Sequence, residues 1–281
     1  MPAPPPDARS FRSTVLEARP TGPDGCVLRI RPGIEQQPLR AARFYMLRRV
    51  DELSPAIPRP LSVYRQLEDG SLEFLIKVMG RGTRALAESA PGTELVTVGP
   101  LGNGWPTLDG DGLPWIGVGG GIGSAPFYMG AQQAMAGMDG ATPVKPEDFT
   151  FVYGAASAAH LLEREAFEAL GVRNLHATDD GSAGFHGNVV QLLEHEWSQG
   201  TLPEQARLLA CGPEPMMRAV ADVAERRGLE CWLSLETMMG CGVGICNGCA
   251  VPTKEGGPLG DWPFVKCCVE GPVFPATAIE A

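Results

Sequence analysis

Residues 113–138 read LPWIGVGGGIGSAPFYMGAQQAMAGM, and the reading of this run decides the fold. No charged residue interrupts it, and as a helix it is long enough to cross a bilayer. Against that, Gly117, Gly119, Gly120, Gly121, Gly123 and Pro126 crowd its first half. Glycine and proline disfavour a helix interior, and they suit a tight turn. The run therefore reads as a short buried strand at 114–118, a glycine-rich turn, and a buried helix over 127–138. Working outward, apolar strands are expected at 149–153, 175–178 and 208–210. Helices are expected at 158–170, 188–197 and 214–227. Strands alternating with helices specify a parallel sheet covered on both faces, over residues 111–230.

A glycine turn at the carboxyl end of a strand is a site for phosphate. Gly120, Gly121 and Gly123 are the candidate positions. They do not fit G-x-G-x-x-G, so the fingerprint of the simple dehydrogenases is absent, and close helix–strand packing is the competing explanation. Cys211-Gly212-Pro213 follows the fourth strand. Its thiol stands where a nicotinamide would lie, unless the tripeptide is only a turn.

The first 110 residues have a different texture. Apolar runs at 13–31 and 43–48 and the period of two in SLEFLIKV at 71–78 read as antiparallel strands, with another at 94–98. They specify a small β-barrel with one short helix, opened by Gly82-Thr83 and capped by Thr83. Residues 1–11, rich in proline, read as a disordered lead. PRPLSV at 58–63 places an arginine beside a rigid proline and a hydroxyl shortly after, a pattern able to hold a pyrophosphate and face a flavin edge.

Residues 231–281 hold six of the eight cysteines and little periodicity. A segment so short needs a staple. Within GCGVGICNGC at 240–249, Cys241, Cys246 and Cys249 have the spacing C-x4-C-x2-C. Three thiolates on one glycine loop, completed by a distant fourth, is the plant-type [2Fe–2S] pattern. Cys267 or Cys268 can supply the fourth. A structural zinc is the alternative, although only one C-x2-C unit is present. Cys26 and Cys231 read as small buried apolar residues.

The net charge is −10, with no basic run, which disfavours nucleic acid as a partner. There is no G-x-S-x-G and no Gly-Lys of a P-loop, and the four histidines lack metal-ligand spacing. No export signal is seen, so a cytoplasmic protein with reduced thiols is expected.

In this order the pieces resemble the electron-transfer subunits of the two-subunit, NAD-linked dihydroorotate dehydrogenases, within the ferredoxin-reductase superfamily. GPLGNGW at 99–105, TDDGSAGFHG at 178–187 and CVEGPVF at 268–274 carry the likeness further. The resemblance implies a FAD-binding barrel, an NAD-binding α/β domain and a [2Fe–2S] domain. It implies that Arg59 holds the FAD pyrophosphate, with Pro60 and Leu61 beside it and Ser62 near flavin N5. Leu75, Ile76 and Lys77 would run along the FAD, and Gly82 and Thr83 would bind phosphate. Cys268, three residues before Gly-Pro-Val-Phe, would be the fourth cluster ligand. Ser62 and Cys211 would act at the hydride-transfer site. The implied partner is a flavin-containing dihydroorotate dehydrogenase catalytic subunit, in a heterotetramer that serves pyrimidine biosynthesis. Gly154-Ala155-Ala156 stands where relatives often have Gly-Ala-Arg, which favours NAD over NADP. Asn247 and Gly248 replace bulkier residues between the second and third cluster cysteines. Two other functions fit the pattern: a reductase subunit of a hydrogenase or NADH:ferredoxin transhydrogenase, and a non-catalytic zinc-binding module.

Overall fold

The computed structural model describes residues 7–51 and 55–280. The first seven strands are β1 (Arg9–Thr21), β2 (Gly25–Pro32), β3 (Phe44–Arg49), β4 (Arg59–Ser62), β5 (Arg65–Gln66), β6 (Leu72–Lys77) and β7 (Glu94–Leu101). They form one antiparallel sheet, ordered β4-β3-β7-β1-β2-β6-β5 and curled into a half-barrel. Leu72, Phe74 and Ile76 of β6 are fully buried, as a period of two demands, and Leu75 between them is buried as well. Helix α1 (Arg81–Ala87) packs on β1, β2, β3 and β6.

The expected disordered lead over residues 1–11 does not hold at residues 9–11. Arg9, Ser10 and Phe11 are already strand, paired with Gly99, Val98 and Thr97. Asp7 is tied to Arg43 by two hydrogen bonds of 2.7 and 2.9 Å. Residues 1–6 lie outside the described residues.

The charge-free run becomes β8 (Trp115–Gly120), a 3-10 turn and α2 (Ala125–Ala136). Every residue of β8 is buried, which fits a central parallel strand. Its glycines make room for aromatic rings. A Cβ on Gly117 would lie 2.8 Å from Phe127, and one on Gly119 3.0 Å from Phe151. Among the described residues no helix is long and apolar enough to cross a membrane.

The chain continues through β9 (Phe149–Ala155), α3 (Arg164–Glu168), β10 (Arg173–Thr178), β11 (Phe185–His186), α4 (Val189–Ser198), β12 (Arg207–Cys211), α5 (Glu214–Arg227) and β13 (Glu230–Ser234). The sheet order is β11-β10-β9-β8-β12-β13, all parallel. From β8 the chain builds outward on one side through β9 and β10, then crosses back to β12 on the other. The crevice between the carboxyl ends of β8 and β12 is the topological switch point, where open α/β sheets take ligands. One face is aromatic: Phe151 stacks on Phe167 and Tyr153 with ring centroids 4.8 and 5.5 Å apart. Tyr64 of the barrel meets Tyr128 of α2 at 5.1 Å, so this core runs into the barrel's. The other face is covered by α4 and α5.

Two expectations are corrected. The helix expected at 158–170 is only Arg164–Glu168, after a single 3-10 turn. Glu163, just before it, stands at φ of 56°, and Arg19 of β1 holds its carboxylate at 2.8 Å. The C-terminal segment is also less independent than expected. Its first residues form β13, paired in parallel with β12, and β16 (Val273–Pro275) returns antiparallel beside β13. Between them, β14 (Ala250–Pro252) and β15 (Phe264–Lys266) make a hairpin.

Candidate functional site

A pocket of about 200 Å³ lies where barrel, α/β sheet and C-terminal segment meet. The barrel brings Pro60, Leu61 and Ser62 from β4, Leu75, Ile76 and Lys77 from β6, and Thr83 from α1. The parallel sheet brings Cys211, the last residue of β12, which pairs with Gly119 of β8. The pocket thus opens on the switch-point crevice. Ten further described residues line it, among them Phe44, Ile122, Glu236, Thr237, Met239 and Pro272; Phe44 lies in RFYMLR at 43–48, which resembles the family's flavin strand, whereas Glu236, Thr237 and Met239 were not among the candidates. Only Glu236 carried a signal, as a lone carboxylate in the apolar run LSLETMM.

Arg59 and Gly82 stand just beyond this lining. The Arg59 guanidinium lies over Gly82, so close that a Cβ there would be 2.2 Å from Nε. Two residues far apart in sequence thus form a cradle that only glycine leaves open. Thr83 does not cap its helix from the N-cap position, as expected; Gly80 stands there. Its hydroxyl reaches back instead, accepting from the N–H of Met79 at 3.0 Å and of Gly80 at 3.2 Å. Lys77 Nζ lies 3.5 Å from Asp24.

The three candidate glycines divide. A Cβ on Gly123 would lie 2.3 Å from the Cys211 carbonyl, and one on Gly120 2.5 Å from the Met216 sulfur. Gly123 serves close packing against the end of β12, and Gly120 against Met216 of α5. Gly121, at φ of 55°, faces open space. The Cys211 thiol is pushed up by burial and by the Glu236 carboxylate beside it, so it is no ready nucleophile.

The cysteine loop follows. Gly242 and Gly244 have φ of 72° and 83°, conformations that side chains resist, and Asn247 (φ of 56°) is of the type that tolerates them. A Cβ on Gly242 would strike Met46 of β3 at 2.6 Å and Leu101 of β7 at 3.0 Å, so the loop is pressed onto the barrel. Lys266 Nζ donates to the Gly244 carbonyl at 2.6 Å and pins its other side. Three backbone N–H groups, of Val243, Ile245 and Cys246, converge on Cys241 Sγ at 3.4, 3.3 and 3.5 Å. Burial pushes the Cys241 thiol up, but these donors outweigh it and hold it at about 7.

The four thiols stand as two pairs. Cys246 is in contact with Cys241, and Cys249 Sγ lies 3.2 Å from Cys268 Sγ. Among the described residues no three side chains converge on a single ion position. Two pairs of thiols, with backbone donors aimed at sulfur, fit a two-iron cluster with two thiolates on each iron. Cys267 turns away, its Sγ 3.8 Å from the Leu235 carbonyl, with its thiol pushed by burial to about 12. Cys26 and Cys231 are buried thiols apart from the loop.

Residues 236–280 match the model of the iron–sulfur cluster binding domain of dihydroorotate dehydrogenase B. Residues 118–222 match an oxidoreductase NAD-binding domain. The electron transfer subunit of dihydroorotate dehydrogenase B (NAD+) from Bacillus caldolyticus is 33% identical over 243 residues, 86% of this chain and 87% of that one. Its counterpart from Shouchella clausii is 36% identical over 233 residues, 81% and 82% of the two chains. The chain belongs to this family of electron transfer subunits. Among solved structures, NADH-dependent reduced ferredoxin–NADP oxidoreductase superposes with a TM-score of 0.79 at 25% identity, over 95% of this chain and 89% of that one. A ferredoxin–NADP+ reductase from Neisseria gonorrhoeae shares the fold, with a TM-score of 0.61 at 18% identity over 78% and 92% of the chains. Family and fold together make the chain an oxidoreductase electron-transfer subunit with iron–sulfur and NAD-binding domains.

Proposed function

We propose that the chain carries electrons between a flavin-containing dihydroorotate dehydrogenase catalytic subunit and NAD+, through a [2Fe–2S] cluster and FAD, in pyrimidine biosynthesis. The observation that carries this is the docking of the paired-thiol loop onto β3 and β7, beside the pocket that Ser62 and Cys211 line. A nicotinamide exchanges hydride, a cluster exchanges single electrons, and a flavin exchanges both, so the flavin belongs between the other two. Arg59, folded over Gly82, holds the FAD pyrophosphate. Pro60, Leu61, Ser62 and the Leu75–Lys77 strand flank the flavin, and Thr83 shapes the turn beside it. Gly121 opens the switch-point turn to the dinucleotide, while Gly120 and Gly123 set its shape. Cys241, Cys246, Cys249 and Cys268 hold the cluster.

The cluster loop presents Cys246, Ile245 and Met238 outward, with the last two 80% and 87% exposed. That apolar edge is where the catalytic subunit docks, in a heterotetramer with two copies of each chain. Free thiols throughout accord with a cytoplasmic location. Residues 1–110, 111–230 and 231–281 serve FAD, NAD and the cluster, with β13 and β16 lent to the NAD sheet. The test is co-expression with the catalytic subunit encoded in the same organism. The two should co-purify and reduce NAD+ with dihydroorotate, and Cys268→Ser should abolish that reaction. Failure to co-purify, with ferredoxin-dependent NAD+ reduction instead, would favour the transhydrogenase reading.

A further inference from the structure

The motif GPLGNGW at 99–105 ends the last barrel strand and meets the cluster segment. There the Asn103 side chain bonds residues 270–273 as a neighbouring strand would. Its Nδ2 donates to the Val273 carbonyl at 2.8 Å and to the Glu270 carbonyl at 3.0 Å, and its Oδ1 accepts from the Val273 N–H at 3.1 Å. Its backbone N–H donates to the Gly271 carbonyl at 2.8 Å. Among the described residues, every hydrogen bond between residues 7–110 and 236–280 runs through Asn103. Resting on the relay proposed above, we propose that Asn103 is a positioning residue for electron transfer, which sets the separation of the flavin site from the cluster site.

The clasp lies between the two sites. On one side Pro272 lines the flavin pocket, and its carbonyl accepts from the N–H of Leu235, another lining residue, at 2.9 Å. On the other side Glu270 follows closely on Cys268, and its carboxylate accepts from the Lys266 N–H at 2.8 Å. Lys266 in turn holds the Gly244 carbonyl of the cysteine loop. The residues just before Asn103 press on the same pieces. A Cβ on Gly102 would lie 2.4 Å from Pro272 Cδ, and Leu101 backs onto Gly242. Those apolar contacts bring the segments together. The amide fixes their register, because its donors and acceptor match one placement of residues 270–273. Asn103 is exposed, so it fills no core. Positional errors of about 1 Å at a reacting centre cost up to about 10²-fold in rate. Electron transfer between two bound groups is sensitive to their separation in the same way.

Hydride from NADH reduces the flavin by two electrons. The flavin then gives one electron to the oxidised cluster and one proton to water. Asn103→Asp keeps the shape of the side chain but turns a carboxylate oxygen toward the two carbonyls that Nδ2 served, so the clasp opens. Anaerobic stopped-flow absorption of protein carrying FAD and cluster, mixed with NADH, follows the two steps separately, as flavin bleaching and as cluster reduction. In Asn103→Asp flavin bleaching should stay within about twofold of wild type, while cluster reduction should slow about tenfold. Redox titration should give unchanged potentials for both groups, which assigns the slowing to separation rather than driving force. Pulsed electron paramagnetic resonance should show weaker magnetic coupling between the one-electron-reduced flavin and the reduced cluster. Asn103→Ser, whose hydroxyl donates once, should fall between wild type and Asn103→Asp, and it carries the test if Asn103→Asp does not load both groups. An unchanged cluster rate, equal slowing of both steps, unchanged coupling, or slowing explained by a shifted potential would overturn the proposal. Loss of FAD or cluster from both variants would also overturn it, by making Asn103 a residue of the fold. Wild-type protein in which NADH reduces the flavin and never the cluster would instead refute the relay.

Discussion

Replacing Gly82 with alanine separates flavin binding from folding. The added Cβ would sit 2.2 Å from Arg59 Nε and 2.8 Å from Cζ and Nη2, well inside contact distance. The obstructing group is the far end of a flexible side chain, so the guanidinium yields, by roughly 1 Å, and the backbone stays. Inside α1 alanine is favoured over glycine by about 1 kcal/mol, so the melting temperature should hold or rise. The loss falls on the ligand. A hydrogen bond from a charged donor to phosphate contributes roughly 1.5–3 kcal/mol. Losing its alignment should raise the FAD dissociation constant roughly 10- to 100-fold. Titration of apoprotein with FAD, followed by quenching of flavin fluorescence, measures the constant, and a thermal melt checks the fold. Arg59→Gln should reproduce the weakening without touching the helix. An affinity within about twofold of wild type in both variants would remove Arg59 from the pyrophosphate site.

Cys268→Ser should abolish the cluster's paramagnetic signal, whereas Cys267→Ser should keep it, since only Cys268 faces Cys249; iron content gives the same comparison. Gly123→Ala should destabilise the fold by about 1–3 kcal/mol in urea denaturation, because its Cβ would meet the Cys211–Gly212 backbone at 2.3–2.6 Å, with no side chain free to yield. The Arg207 guanidinium holds the Asp111 carboxyl near 2, below its ordinary 3.8. A depressed carboxylate stabilises above the unfolded value and loses that contribution as pH falls through the folded one. Asp111→Asn should therefore flatten the stability profile between about pH 4 and 2 and cost under about 1 kcal/mol at pH 7, since the pair is open to solvent.

The parallel sheet was legible because β8, β9 and β12 are continuous apolar runs separated by turn residues, and α5 matched its expected span of Glu214–Arg227. The cluster loop was legible because C-x4-C-x2-C among glycines has few other uses. What stayed hidden depends on contacts distant in sequence. The helix expected at 158–170 shrinks to Arg164–Glu168, with Glu163 at its start paired to Arg19 of β1, a partner 144 residues away. β13 is a five-residue run whose place is fixed only by β12 on one side and β16 on the other. Spacing alone left Cys267 and Cys268 open; the resemblance chose Cys268, the thiol that lies against Cys249. Glu236 was missed because a carboxylate in an apolar run gains its meaning from the pocket it lines.

An anaerobic titration of the purified chain with NADH, read by visible absorption and by electron paramagnetic resonance at the end point, tests the relay most directly. Bleaching of the flavin together with the signal of a reduced [2Fe–2S] cluster is the expected result. Bleaching without that signal, in protein that contains zinc or no metal, would contradict the account and leave GCGVGICNGC as a structural clip.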